Sequence, residues 1–521
     1  LYELWRDKHT AILKIFIQIK RDIIPMKNIA YKWQVAISVI FGSFMVIMDA
    51  TVVNVALPKL QTAFNTGSIS DVQWIISAYT LALGIITPLS GFLADRFGIK
   101  KIYLASLAAF TLGSLLCAIA PSLPILIAAR VLQGIGGGSV IPLGTAMLFG
   151  AFPVKERGAA FGVFGISLVM APALGPIISG LFVEYLDWRF IFLINIPIGV
   201  LGVYMGSRLL KEQKGEGKQR FDWGGIVTSA SAFGFLLYGF SNAEKDGWGS
   251  TSVLVSLIIG SVALVAFVII ELRRNDGLVD LRLFRKPIFI VGNVVGWVSV
   301  IALFGAEFLL PLYLQNIRGL TALDTGLLLL PLALTAGVVV PFAGRFSDKI
   351  GARPLAVIGF GLLLINTWQL SNLTMDTSLL FIGFLLALRG AALGMVVQIT
   401  QQVALRDIAP RALPRASSLV NSSRLIFQSF GVAVLATILT MTTGPRPDFT
   451  ASVRPDPIAL EAYRQSFLQG LENAYQATFW VGLVAVTLAF FLPGWPFKKA
   501  SVTQTPAEAP AFVPNITERA A

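Results

Sequence analysis

Cysteine and histidine are almost missing from this sequence, and charge is scarce. Among 521 residues there is one cysteine, Cys117, and one histidine, His9. A lone cysteine closes no disulfide within the chain and gives a thiolate metal site no second ligand. A lone histidine, placed ahead of the first apolar run, excludes histidine proton relays and paired-histidine metal motifs. No metal and no cofactor are therefore expected, and any proton carried inside the molecule must ride on a carboxylate. Asp, Glu, Lys and Arg make up 13% of the chain while 55% is hydrophobic, and the mean hydropathy is +0.75. A soluble domain has about a quarter of its residues charged, so a soluble globular fold is excluded too.

What fills the chain instead is a series of apolar runs from Trp33 to Pro493, each of roughly 20 residues, the length at which a helix crosses the hydrocarbon core. They lack the two-residue alternation of a membrane barrel strand. The fold expected is an all-α integral membrane bundle. Its net charge of +13 is dispersed through short loops, where it reads as a topology signal and not as a nucleic-acid patch. Fourteen spans are read, and the loops after even-numbered spans hold most of the Lys and Arg. By the positive-inside rule both termini then lie in the cytoplasm, in a cell (plasma or inner) membrane.

An internal repeat organises the spans. "GFLADRFGIKK", with Gly91, Asp95 and Gly98, recurs as "GRFSDKIGARP", with Gly344, Asp348 and Gly351, at the same spacing and in the same place after an even span. The chain divides accordingly into a cytoplasmic segment at 1–32, a six-helix half at 33–210, two linker helices with their loops at 211–286, a second six-helix half at 287–495, and a Pro- and Ala-rich tail at 496–521 expected to be disordered. Paired halves around a midplane site are the architecture of secondary transporters. The opening stretch, which starts with Leu and reaches Met26, reads either as an upstream-translated or appended segment or as a basic amphipathic helix on the membrane face, not as a cleaved signal peptide. The outward loop 444–475 contains "PIALEAYRQSFLQGLENAY", whose helical periodicity places a helix against the outer mouth or simply between two spans.

Few polar groups lie inside the spans, and such groups mark function by default because each costs several kcal/mol in hydrocarbon. Asp49 stands in "IMDATVVNVALP" beside Asn54. Arg130 shares a helix face with Gln133 and Gly134 by the i, i+3, i+4 rule, and a buried guanidinium needs acceptors. Glu307 in the second half reads either as a second cavity carboxylate or as a structural partner for an arginine. Asn54, Gln133, Gln398, Gln401, Asn421, Arg424 and Gln428 offer donors and acceptors to a substrate cavity, and Trp74, Tyr79, Trp297 and Phe304 offer aromatic faces suited to flat lipophilic cations. "GIGGG" after Gln133 lacks the Lys-Ser/Thr of a phosphate-binding loop and reads as close helix packing. In the first copy of the loop, glycines permit close approach, and Asp95, Arg96, Lys100 and Lys101 can form a breakable charge cluster, with Asp348 in the corresponding place of the second copy.

These motifs together resemble the major facilitator superfamily, and within it the fourteen-span drug:proton antiporter branch, the EmrB/QacA group. The likeness runs from about Met45 to Phe491. "GFLADRFGIKK" is similar to the loop signature of the superfamily, "ARVLQGIGGG" to its fourth-span motif, "APALGPIISG" with Gly175, Pro176 and Gly180 to the fifth-span antiporter motif, and "WRFIFLINIPIG" and "FDWGG" to sequences of the branch. Ala171 and Ser179 depart from the fifth-span pattern, which often has glycine there. The resemblance implies that Arg130 assists proton transfer, that the fifth-span motif works at the interface of the two halves, and that the protein is no enzyme.

The function expected is proton-coupled efflux of amphipathic toxic compounds by alternating access, with small-molecule substrates and protons as partners. The alternatives are an exporter of the same fold dedicated to one endogenous lipid or metabolite, or a receptor or scaffold without transport. Burial disfavours an ionised carboxylate, whereas a nearby arginine or water favours it. A carrier that alternates between wet and dry surroundings therefore changes its hold on a proton at Asp49. The bland reading is an acid hydrogen-bonded to a neighbouring helix without titrating. A monomer is expected, and the need for an accessory periplasmic protein stays open.

Overall fold

The computed structural model describes residues 29–66, 69–212, 221–274, 277–443 and 457–494. The opening segment before residue 29, part of the outward loop and the C-terminal tail lie outside these residues. The described residues are helical and contain no strand. The first half comprises α1 (Tyr31–Ala63), α2 (Ile69–Ile86), α3 (Ser90–Phe97), α4 (Ile99–Ala118), α5 (Leu123–Ala151), α6 (Arg157–Tyr185), α7 (Phe190–Leu193) and α8 (Asn195–Leu209). A linker hairpin follows, α9 (Trp223–Asp246) and α10 (Thr251–Arg273). The second half holds α11 (Pro287–Glu307), α12 (Leu309–Asn316), α13 (Ala322–Leu328), α14 (Leu330–Ile350), α15 (Ala352–Ser371), α16 (Leu379–Leu405), α17 (Leu413–Thr442) and α18 (Pro457–Ala489).

Eleven helices among the described residues are long and apolar enough to cross a membrane, or twelve when α2 and α3, bent by 52° at their break, form one span. Two expected spans fall outside that set. The apolar stretch of α11, Pro287–Leu303, is short, and α18 is polar through its first half. The outward-loop helix and the last span, read as separate pieces at 457–475 and 476–495, form the single helix α18.

The breaks have a local cause. Proline removes a donor and its ring clashes with the carbonyl four residues earlier. Pro311 stands four residues after Glu307, where α11 stops and α12 restarts, so the expected continuous span at 287–315 is interrupted there. Pro88 sits in the break between α2 and α3, and the Thr87 and Pro88 carbonyls that the break releases accept a proton from Ser418 Oγ at 2.7 and 2.8 Å. Gly98 and Gly351 begin α4 and α15 with φ of 97° and 88°, a conformation that a side chain disfavours. The repeated loop thus has the same turn in both halves.

Core and surface divide as a membrane bundle requires. One apolar cluster fills the second half, around Tyr313, Phe360 and Phe467. Another, at the face carrying the repeated loops, joins both halves, with Phe149 and Phe161 packed in the same group as Leu405 and Leu413. Large apolar side chains such as Ile258, Val262 and Val265 of α10 point outward. α9 rests on both α2 and α17, bridging the halves along one side.

Candidate functional site

Asp49 lies in the middle of α1 and is 1% exposed. A carboxylate buried this completely must be paired, and three side chains from two other helices do so. Arg130 Nη1 of α5 donates to Asp49 Oδ2 at 2.5 Å. Gln133 Nε2 and Asn195 Nδ2 both donate to Oδ1 at 2.8 Å. Arg130, 0% exposed, also donates from Nε to the Ile75 carbonyl at 3.0 Å and from Nη1 to Gln133 Oε1 at 2.6 Å. Gln133 passes a further hydrogen bond to Ser114 Oγ of α4 at 2.7 Å. The guanidinium stands 4.0 Å above the ring of Tyr79, whose hydroxyl donates to the Val46 carbonyl at 3.3 Å.

The arrangement joins α1, α2, α4, α5 and α8 through one carboxylate. Glycines let the helices close on it: a Cβ on Gly113 of α4 or Gly134 of α5 would come within 2.8 Å of Gln133 backbone or 2.5 Å of the Tyr79 carbonyl. The carboxylate is neutralised by Arg130, and without that charge the guanidinium would need other acceptors. No other ion pair in the described first half is buried to this degree.

Two sequence assignments shift here. Tyr79 and Gln133, expected to line a substrate cavity, belong to the Asp49 site. Asn195 was overlooked within "WRFIFLINIPIG"; an amide interrupting an otherwise apolar run was the signal that marked it.

A second group of contacts seals the seam between the halves on the loop face. Asp95 Oδ2 accepts from Arg415 Nε of α17 at 2.6 Å. Asp348 accepts from the Gly158 and Ala159 N–H groups at the N-terminus of α6, at 2.9 and 3.1 Å, and from Gln402 Nε2 at 3.3 Å. The positive end of the helix and its free N–H groups suit a carboxylate. Backbones touch directly: a Cβ on Gly91 would lie 2.7 Å from Arg415 Cα, and one on Gly344 would lie 2.1 Å from the Gly158 carbonyl. Ser417 Oγ donates to the Pro142 carbonyl at 2.8 Å.

Three expected gating residues stand elsewhere. Lys100 Nζ donates to the Ser207 and Leu210 carbonyls at 2.8 and 2.6 Å, closing the end of α8 in its own half. Arg96 lies 4.2 Å over the ring of Phe221. Gly175 faces α1, where a Cβ would meet Thr51 Oγ1 at 2.1 Å, so it packs inside the first half. On the same helix it is Gly158 and Gly162 that meet α14 across the seam, and Gly180 comes near Leu323. The ring of Pro176 is outside the described residues.

The remaining cavity candidates are scattered. Gln428 lines a cavity of about 180 Å³ with Thr80, Phe240, Ser241, Leu425 and Ser429, between α2, α9 and α17. Trp297 stacks on Phe427 at 4.7 Å and donates to Ser423 Oγ at 2.9 Å. Arg424 donates to Thr400 Oγ1 at 2.7 Å and to Gln401 Oε1 at 3.4 Å, and Gln401 reaches Thr145 Oγ1 across the seam at 3.5 Å. Asn421 bonds back to the Ser417 carbonyl of its own helix at 2.8 Å. Trp74 is 43% exposed and lies beside Tyr238 of α9 instead of between the halves, and Asn54 is exposed at the end of the first span. The side chains of Phe304, Glu307 and Gln398 lie outside the described residues. No group of His, Cys, Asp and Glu able to hold a metal occurs among the described residues.

Helices that cross a membrane, a loop motif repeated in two parts of the chain and a buried ion pair define a membrane transporter and not an enzyme. Residues 39–432 match the Major Facilitator Superfamily, to which the chain belongs. The lincomycin resistance protein LmrB of Bacillus subtilis (strain 168) is 32% identical over 88% of this chain and 95% of its own. The multidrug resistance protein Stp of Mycobacterium tuberculosis (strain CDC 1551 / Oshkosh) is 31% identical over 80% of this chain and 78% of its own. Among solved structures, the human organic anion transporter MFSD10 (TETRAN) superposes with a TM-score of 0.62 at 15% identity, covering 88% of this chain and 99% of that one, which is a likeness of fold.

Proposed function

We propose that this chain is a proton-coupled exporter of amphipathic compounds, a fourteen-span antiporter working by alternating access of its two halves. The observation that carries the reading is the fully buried Asp49, ion-paired to Arg130 and hydrogen-bonded to Gln133 and Asn195. A carboxylate that served only to hold helices together would keep one charge throughout the cycle. One that exchanges a proton alternates between ionised and neutral forms, and Arg130 supplies the charge that stabilises the ionised form. Glu307, at the end of α11, is proposed as a second proton-coupling acid in the other half.

The rest of the cycle follows from the seam. With Asp95 on Arg415 and Asp348 on the start of α6, the loop face is shut, and α11 to α18 rock against α1 to α8 to open it. We assign this face to the cytoplasm, on the distribution of Lys and Arg. Protonation of Asp49 from outside releases Arg130 and favours return to the inward-open state. Capture of substrate there expels the proton inward, and the membrane potential adds about 2.3 kcal/mol per charge per 100 mV. Relatives named for lincomycin and multidrug resistance support drugs as substrates. Gln428 with Trp297, Gln401, Asn421 and Arg424 is the polar and aromatic surface we assign to them in the second half.

The test is retention of a fluorescent lipophilic cation such as ethidium in cells expressing the chain. Expression lowers retention, an uncoupler restores it, and Asp49→Asn abolishes the difference. Export that persists under uncoupling would overturn proton coupling.

A further inference from the structure

The motif "FDWGG" has no part in the cycle described above, yet its aspartate and Glu271 of α10 form a buried acidic pair. Asp222 precedes α9 and caps it, its Oδ1 accepting from Gly225 N–H at 2.9 Å and pairing with Arg274 Nη1 at 2.8 Å. Its other oxygen, Oδ2, is buried and has no hydrogen-bond partner, and the residue as a whole is 0% exposed. Glu271, in the last turn of α10 and 3% exposed, accepts from the Leu278 and Val279 N–H groups at 3.0 and 3.2 Å.

The two carboxylates converge on one point. A Cβ placed on Gly225 would stand 2.7 Å from Asp222 Oδ2 and 2.9 Å from Glu271 Oε1, and one on Gly277 would stand 2.0 Å from Glu271 Oε2. At Gly225 and Gly277 the acids therefore occupy the space a side chain would need. Arg274 serves Asp222, and no ion pair to Glu271 occurs among the described residues. Arg415 of α17 also acts on Glu271 electrostatically. It is already bound through Nε to Asp95 of α3, while its Nη2 is buried without a partner. Arg96, next to Asp95, lies over Phe221 at the edge of the same cluster.

We propose that Asp222 and Glu271 together form a proton-binding site, distinct from Asp49, in the linker hairpin at the loop face. Two like charges this close in a buried setting do not both persist when a single guanidinium serves only one of them. One proton resolves the conflict: carried on Glu271, it is donated to the oxygen of Asp222 that accepts nothing else. The ligand is the proton itself, and the site is coupled to the seam. Opening the loop face carries Arg415 away with α17 and leaves Asp95, Asp222 and Glu271 with one cation fewer. The acids then hold a further proton, so loop-face opening takes up protons from that side. The linker hairpin is on this account a proton-responsive strap beside the Asp95–Arg415 contact.

The experiment is infrared difference spectroscopy of the full chain in nanodiscs, following the carbonyl stretch of protonated carboxyl groups in an Asp49→Asn background. At neutral pH a protonated-acid band persists in Asp49→Asn, and its amplitude falls by one acid when Glu271→Gln is added. Asp222→Asn, which keeps a good helix cap, removes the like charge that holds the proton on Glu271, so the same band weakens at neutral pH. A band that neither Glu271→Gln nor Asp222→Asn alters overturns the site, whatever the fate of the coupling role given to Asp49.

Discussion

At the scale of single residues, the account turns on how many donors one carboxylate can bind. Asp49, Arg130 and Gln133 were legible in the sequence, because a charge in an apolar run stands out and the spacing of Arg130 and Gln133 places both on one helix face. Ser114 and Asn195 were not, since small polar residues in spans are common and only the crossing of α4 and α8 with α1 brings them to the site. The backbone carbonyl of Ile75, which binds Arg130, carries no sequence signal at all. Asn195 therefore makes the sharper test. Asn195→Ala removes a hydrogen bond to a charged group, about 1.5–3 kcal/mol, which corresponds to about a tenfold or greater fall in proton-driven export. Export measured in cells at matched expression checks it. Unchanged export would remove Asn195 from the site.

Among the elements, glycines and prolines decide what helices can do. The repeated loops were readable as tight turns, and their positive-φ glycines, Gly98 and Gly351, bear that geometry. The break after Glu307 and the continuity of α18 were not, because a span is read from apolarity, which neither the ring of Pro311 nor the polar first half of α18 alters in the expected way. Nor does a fifth-span motif reveal which of its glycines faces which neighbour. Gly175 turned out to meet α1, whereas Gly158 meets the Gly344 carbonyl across the seam. Any side chain on Gly158 pushes α6 and α14 apart on the loop face. Gly158→Ala is expected to raise the labelling of an engineered cysteine at the seam from the loop side, in a Cys117→Ala background, and to slow export. Labelling equal to that of the parent would mean that α6 and α14 adjust without opening.

For the whole molecule, we treat the two halves and the linker hairpin as bodies, a division proposed from the repeated loop motif. How they meet was not readable, because Asp95 and Arg415 lie 320 positions apart and nothing local marks them as partners. If that contact shuts the loop face, Asp95→Arg alone sets two arginines against each other and shifts the molecule toward the open state, lowering export by about tenfold, equivalent to 1.4 kcal/mol. Adding Arg415→Asp reverses the pair and restores much of the loss, as interresidue distances across the seam by pulsed electron resonance should show directly; a double variant no better than the single would break the link. All of this presupposes that the motion is driven by protons through Asp49, and one measurement addresses that most directly. Purified protein in acid-loaded proteoliposomes is mixed with candidate amphipathic substrates, and external proton release is recorded for the parent beside Asp49→Asn. The account predicts substrate-triggered release from the parent and none from Asp49→Asn. Release that survives in the variant would contradict it.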